Sequence, residues 1–253
     1  MDELTMIDSI SLGDTRELIK ELADESVDLV VSDIPYRCVS GGDAKGVWRD
    51  KMCGRMLAKH GRDNRESDYD NVKKGKLFDH NDIDFSEWMS EVWRVLKMDS
   101  HCYLMVNGRN LKDLWLEAER SGFMYQQLLV WDKGNATPNR YYMNGCEFIL
   151  MLRKGMATNV NDMGMSNLLS VPNIVANKLH PTGKPVELME ILIRQSSDPD
   201  DVVLDPFAGS GSTLLAAKRL CRHYIGFEID QKYYDIAVKR LTEKTGVSLF
   251  EKF

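Results

Sequence analysis

Short apolar runs alternate along this chain with stretches whose apolar positions recur every three or four residues. Residues 4–10 read as a first strand, and Gly13-Asp14 turns the chain into a helix over residues 15–22. Val27-Asp28-Leu29-Val30-Val31 is a β-branched run that stops at Ser32-Asp33-Ile34-Pro35-Tyr36. Proline cannot continue a central strand, so this stretch sits at the strand's carboxyl edge. Phe85, Trp88, Met89, Val92 and Leu96 fall at helical spacing and predict an amphipathic helix over 85–98, with the tryptophan in the core. A strand over 102–106, a helix over 111–121 and a strand over 127–131 follow. A polar turn over 133–144 contains Pro138, and a strand covers 146–152. Pro185 opens a helix reaching Gln195, since proline suits a first helical turn. The chain ends with a strand at 202–204, a helix over 214–220, a strand at 224–227 closing on Glu228, and a helix over 231–242. Strands alternating with helices predict an α/β protein with a largely parallel central sheet and helices on both faces.

Two stretches break this pattern. Residues 37–80 lose apolar periodicity and hold eleven Lys/Arg against seven Asp/Glu. A loop of that length is a solvated insertion or a functional element, here a basic lid over a polyanion. Residues 153–179 are rich in Asn, Ser, Gly and Met, and are a candidate recognition element. No repeat or linker divides the chain, so residues 1–253 are taken as one domain.

Composition narrows the field. The formal charge of −6 gives no global positive field, so a polyanionic partner must meet a local patch. The five cysteines lack metal-ligand spacing and form no disulfide framework, which suits a reducing compartment. The acidic N-terminus is no signal peptide and no run reaches membrane-spanning length, so a cytoplasmic protein without membrane or metal is expected.

The chemistry gathers at two strand ends. Asp205-Pro206-Phe207-Ala208-Gly209-Ser210-Gly211-Ser212-Thr213 lies between a strand and a helix, and Glu228 ends the next strand. Glycines there let backbone approach a ligand, and an acid on the following strand suits ribose hydroxyls. The bland alternative is a tight turn without a ligand. A nicotinamide-dependent dehydrogenase is a rival, but its third glycine is replaced by Leu214 and it leaves Asp33-Ile34-Pro35-Tyr36 unexplained. A carboxylate and an aromatic face at Asp33 and Tyr36 suit a flat, nitrogen-bearing substrate.

Taken in order, these motifs resemble the β-class DNA amino-methyltransferases that depend on S-adenosylmethionine. That family carries Asp-Pro-Pro-Tyr first and Asp-Pro-Phe-x-Gly-x-Gly last. His180-Pro181-Thr182-Gly183-Lys184-Pro185 is similar to its His-Pro-Thr-x-Lys-Pro, and Trp131-Asp132-Lys133 with Cys146-Glu147-Phe148-Ile149-Leu150 to its central strands. The resemblance spans about residues 11–241. It implies a Rossmann-like class I methyltransferase fold, a mostly parallel seven-stranded sheet with a small target-recognition insertion over about 153–180. It implies methyl transfer to the exocyclic N6 of a flipped-out adenine in DNA. Asp33 and the Ile34 carbonyl would accept the two amino hydrogens, Pro35 would fix the backbone, and Tyr36 would stack on the base. Phe207, Gly209 and Gly211, with Asp205, Ser212 and Thr213 around them, would form the cofactor turn. Glu228 would hold the ribose, Thr182 and Lys184 the methionine carboxylate, and Asp14 the cofactor's adenine. The departure is Ile34, where the family has proline. Asp at the first motif position favours adenine-N6 over cytosine-N4, which remains the alternative. A nucleic-acid-binding module that has lost turnover is the non-catalytic one. A homodimer or a further subunit would extend a short recognition element.

Overall fold

A computed structural model describes residues 6–35, 83–137, 142–156, 158–174 and 183–243. The basic loop over 37–80, and with it Tyr36, lies outside the described residues, as do His180, Pro181 and Thr182. The unit described below is built from the chain on either side of Pro35–Ile83.

Among the described residues, eight strands form one sheet: β1 (Ser9–Leu12), β2 (Val27–Asp33), β3 (Leu96–Val106), β4 (Met124–Thr137), β5 (Asn144–Arg153), β6 (Leu168–Ser170), β7 (Val202–Asp205) and β8 (His223–Glu228), in the order β1-β8-β7-β2-β3-β5-β4-β6. Pairing is parallel from β1 through to β3 and again between β4 and β6, and antiparallel for β3/β5 and β5/β4. The sheet thus carries one strand more than the seven implied by the motifs; the three-residue β6 lies at its edge, inside the stretch read as a recognition insertion.

The helices are α1 (Thr15–Leu18), α2 (Met89–Val95), α3 (Leu111–Arg120), α4 (Val186–Ser196), α5 (Ser212–Arg219) and α6 (Gln231–Thr242), with single 3-10 turns at Ile19–Glu21 and Phe85–Glu87. Both faces of the sheet are covered. Leu29 and Val31 of β2 and Tyr103 and Met105 of β3 join Leu188, Leu192, Leu214 and Leu215 in one core cluster. The alternate residues Val30, Cys102 and Leu104 are equally buried, and α2 and α3 contact β3, β4 and β5. Burial on both faces is why these strands read as continuous apolar runs.

Several boundaries differ from the periodicity, three of them instructively. The first strand is Ser9–Leu12, following Asp8 at φ 58°. The helix expected over 85–98 ends at Val95, because Leu96 already pairs with Val27 in the sheet. The polar turn expected over 133–144 is strand as far as Thr137, where β4 pairs with Asn144 of β5. In both later cases cross-strand pairing overrides local apolar spacing.

Candidate active site at the carboxyl edge of the sheet

β7 lies between β8 and β2, and the chain leaves β7 and β2 in opposite directions along the sheet. Ligands of open α/β sheets bind at such a switch point, outside the carboxyl ends of the strands. Asp205 ends β7 and Asp33 ends β2. A buried bond from Ser32 Oγ to Asp205 Oδ1, at 2.6 Å, ties the two strand ends together.

The glycine turn is made of backbone. Gly209 (φ 53°) and Gly211 (φ 75°) adopt left-handed conformations that disfavour any side chain. A Cβ on Gly211 would sit 3.0 Å from Ala237 of α6, whereas one on Gly209 would meet nothing within 4 Å. Gly211 therefore serves helix packing, and Gly209 presents bare backbone to open space. Glu228 faces the same turn: Gly209 N–H donates to its Oε2 and Asp230 N–H to its Oε1, each at 2.8 Å. Burial still holds its carboxyl above the ordinary range, against those two backbone donors. Gly13 N–H donates to the Glu228 carbonyl at 2.8 Å, which brings Asp14 to the same edge. Asp14 caps α1 through Arg16 N–H and forks with the Arg16 guanidinium, which also reaches Glu87.

Asp205 is enclosed. Its Oδ1 accepts from Ser32 and from Phe207 N–H, and Thr213, itself buried, bonds to the carboxylate as well. Burial pushes its carboxyl up to about 6. Asp205 and Thr213 thus shape the turn from below. Phe207 packs edge-on against the fully buried Trp88, with ring centroids 5.0 Å apart.

The end of β2 is made of charge. Lys184 Nζ lies 2.6 Å from Asp33 Oδ2 and 3.5 Å from Glu147 Oε2, while Lys133 Nζ lies 3.3 Å from Glu147 Oε1. Lys133 and Lys184 are buried, and Asp33 and Glu147 partly buried. Burial raises the Asp33 carboxyl above its ordinary value despite Lys184, and Glu147 adds to the rise. For Glu147, burial pulls upward, but Lys184 and Lys133 prevail and hold it low. Burial would lower the Lys184 ammonium, yet its two carboxylates keep it above its ordinary value. The Lys184 carbonyl accepts from Ser212 Oγ at 3.0 Å, so the residue joins Asp33 to the start of α5.

The profile of the DNA methylase (N6_N4_Mtase) family matches residues 27–239. The chain belongs to the DNA methylase family. It is 30% identical to the type II methyltransferase M.HinfI of Haemophilus influenzae, over 94% of this chain and 69% of that protein. It is 28% identical to the type II methyltransferase M2.DpnII of Streptococcus pneumoniae, over 90% of this chain and 87% of that one. Among solved structures, the complex of M1.HpyAVI with S-adenosylmethionine superposes with a TM-score of 0.65 at 26% identity, covering 92% of this chain and 98% of that one.

As a member of this family the protein is a DNA methyltransferase that uses S-adenosylmethionine. The residues present fit that cofactor. Gly209 offers an open side, Glu228 stands beside it with its carboxylate anchored by two backbone N–H groups, and Phe207 is braced by Trp88. The family's departure at Ile34 is absorbed by packing, since that side chain is only 2% exposed.

The structure thus brings Asp33, Ile34, Lys184, Asp205, Phe207, Gly209, Gly211, Ser212, Thr213, Glu228 and Asp14 to one edge of the sheet. Pro35 follows directly on Ile34. Sequence reasoning missed Glu147, Lys133, Trp88 and Gly226. A lone acid at the head of the apolar run Phe148-Ile149-Leu150-Met151 was a signal for Glu147. Gly226 is the missing third glycine in another place: a Cβ there would collide with Leu214 Cδ1, so the helix packs closely on β8 through a glycine of the strand rather than one of the helix.

Proposed function

We propose that this methyltransferase acts on the exocyclic N6 of adenine in DNA. The observation that carries the reading is Asp33 at the carboxyl end of β2, its carboxylate held by Lys184 at the switch point beside the glycine turn. The N6 amine is a poor nucleophile because its lone pair is delocalised into the ring. Asp33 and the Ile34 carbonyl each accept one amino hydrogen, which draws the nitrogen toward a pyramidal form. Pro35 restricts the backbone next to that carbonyl, and Tyr36 stacks on the base. S-adenosylmethionine supplies a sulfonium-activated methyl group. As the nitrogen gains the methyl it sheds a proton, and an Asp33 carboxylate raised by burial is a stronger base for it than a free one.

On the cofactor side, Gly209 gives backbone access while Gly211 lets the helix pack close behind it, Glu228 takes the ribose hydroxyls, Phe207 lines the turn, and Thr182 would meet the methionine carboxylate. Residues 37–80 supply basic contacts to phosphates, which position without specifying. Residues 153–180 contribute base readout, with β6 docking that stretch on β4. The relatives named type II methyltransferases support a place in restriction-modification, and scattered cysteines support a cytoplasmic protein. A short recognition stretch favours a homodimer.

The test is to supply labelled S-adenosylmethionine and mixed-sequence DNA, digest the DNA to nucleosides and identify the labelled one. Label on N6-methyladenine is expected. Label on N4-methylcytosine would overturn the base assignment, and cofactor binding without any product would favour a module that has lost turnover.

A further inference from the structure

Lys133, Glu147, Lys184 and Asp33 alternate in sign across three strands and the segment leading into α4, with successive contacts of 3.3, 3.5 and 2.6 Å. Such an array is costly to bury unless every charge is met. Here each inner charge faces two of opposite sign. We propose that Glu147, backed by Lys133, is a positioning residue for methyl transfer: it holds Lys184 against Asp33 and so sets the orientation and charge of the Asp33 carboxylate. The inference rests on the adenine-N6 reading above and deepens it.

Lys184 engages Asp33 Oδ2 and leaves Oδ1 without a partner among the described residues. One oxygen is thereby committed to the ammonium, and the other accepts the substrate's amino hydrogen. Glu147 is the counterweight. Its Oε1 is fixed by Lys133, and its Oε2 meets Lys184 by charge at 3.5 Å. Without it, Lys184 would have one fewer carboxylate to balance, would pull harder on Asp33 and would stabilise the ionised form. Without Lys184, Asp33 would face Glu147 and the nearby Asp205 with no cation beside it, and its charged form would be disfavoured. The four groups therefore act on the ionisation of Asp33 in opposite senses, which packing alone would not do.

The test is the pH profile of single-turnover methylation of DNA at saturating S-adenosylmethionine. Glu147→Gln moves the acid limb to lower pH by roughly 0.5–1 unit and slows transfer about tenfold or more, whereas Lys184→Met moves the limb to higher pH. Lys133→Met, one charge further from Asp33, moves it upward by less than Lys184→Met. Glu147→Asp, which keeps the charge, restores the wild-type limb. If Glu147→Gln does not fold, the ordering of Lys184→Met above Lys133→Met above wild type carries the test. Superimposed limbs, or a Glu147→Gln shift in the same direction as Lys184→Met, overturn the inference while a methylating wild type leaves the adenine-N6 reading intact. A wild type that labels no adenine overturns both.

Discussion

At the end of β2 the working groups are ionised side chains held by other side chains, whereas at the turn after β7 they are backbone groups held in place by glycines. Asp33 depends on Lys184, which depends on Glu147, which depends on Lys133. Gly209 depends on its own φ and on a carboxylate anchored by two N–H groups. The contrast teaches how the site divides its labour. The charged end can be tuned through ionisation and fails when one partner is lost. The glycine end has a single carboxylate, met by backbone donors rather than by a charged partner, and fails when a side chain is added.

The most severe way to break this division is Asp33→Ala. Methyl transfer falls by about 10²–10⁴-fold, measured as single turnover with labelled cofactor. Next is Asp205, the buried acid between the two regions. Burial holds its carboxyl at about 6 instead of 3.8, so the protonated form favours the folded state. That stabilisation is complete below the unfolded value and is lost as pH rises through the folded one. Relative to Asp205→Asn, the wild type therefore loses at most roughly 3 kcal/mol between pH ~4 and ~6.5, read from urea melts at each pH.

A smaller effect sharpens the glycine side. Gly226→Ala forces Leu214 to move and costs about 1–3 kcal/mol, seen as a lower Tm. Adding Leu214→Ala to it should cost less than the two changes apart, because the second removes the collision made by the first. The smallest effect expected is that of Arg16→Ala. Its links to Asp14 and Glu87 are half-exposed, so stability changes by less than ~1 kcal/mol in the same melts.

The glycine side was largely legible in the sequence because its parts are contiguous. The strand, the Asp205–Thr213 turn and the following helix lie within eighteen residues, Val202–Arg219, and α6 spans the very residues its spacing predicts. The charged side was legible only at its tip. Asp33 stands in a motif, but Lys133 and Glu147 meet through the antiparallel pairing of β4 with β5, which no periodicity along either strand reveals. Non-local pairing of another kind, β3 with β2, turned residues 96–98 from expected helix into β3, and the β4/β5 pairing carried β4 through its polar residues to Thr137. Trp88 was read as core, and it is; that it braces Phe207 follows from the approach of two distant segments.

The division between the two regions is tested most directly by titrating S-adenosylmethionine into Asp33→Ala and Gly209→Val side by side. Valine at a left-handed position is strained by about 1–2 kcal/mol, and its side chain fills the open side of the turn. The account predicts that Asp33→Ala keeps the wild-type Kd while Gly209→Val weakens it about tenfold or more. Equal loss of binding in both variants, or undiminished binding by Gly209→Val, would contradict it.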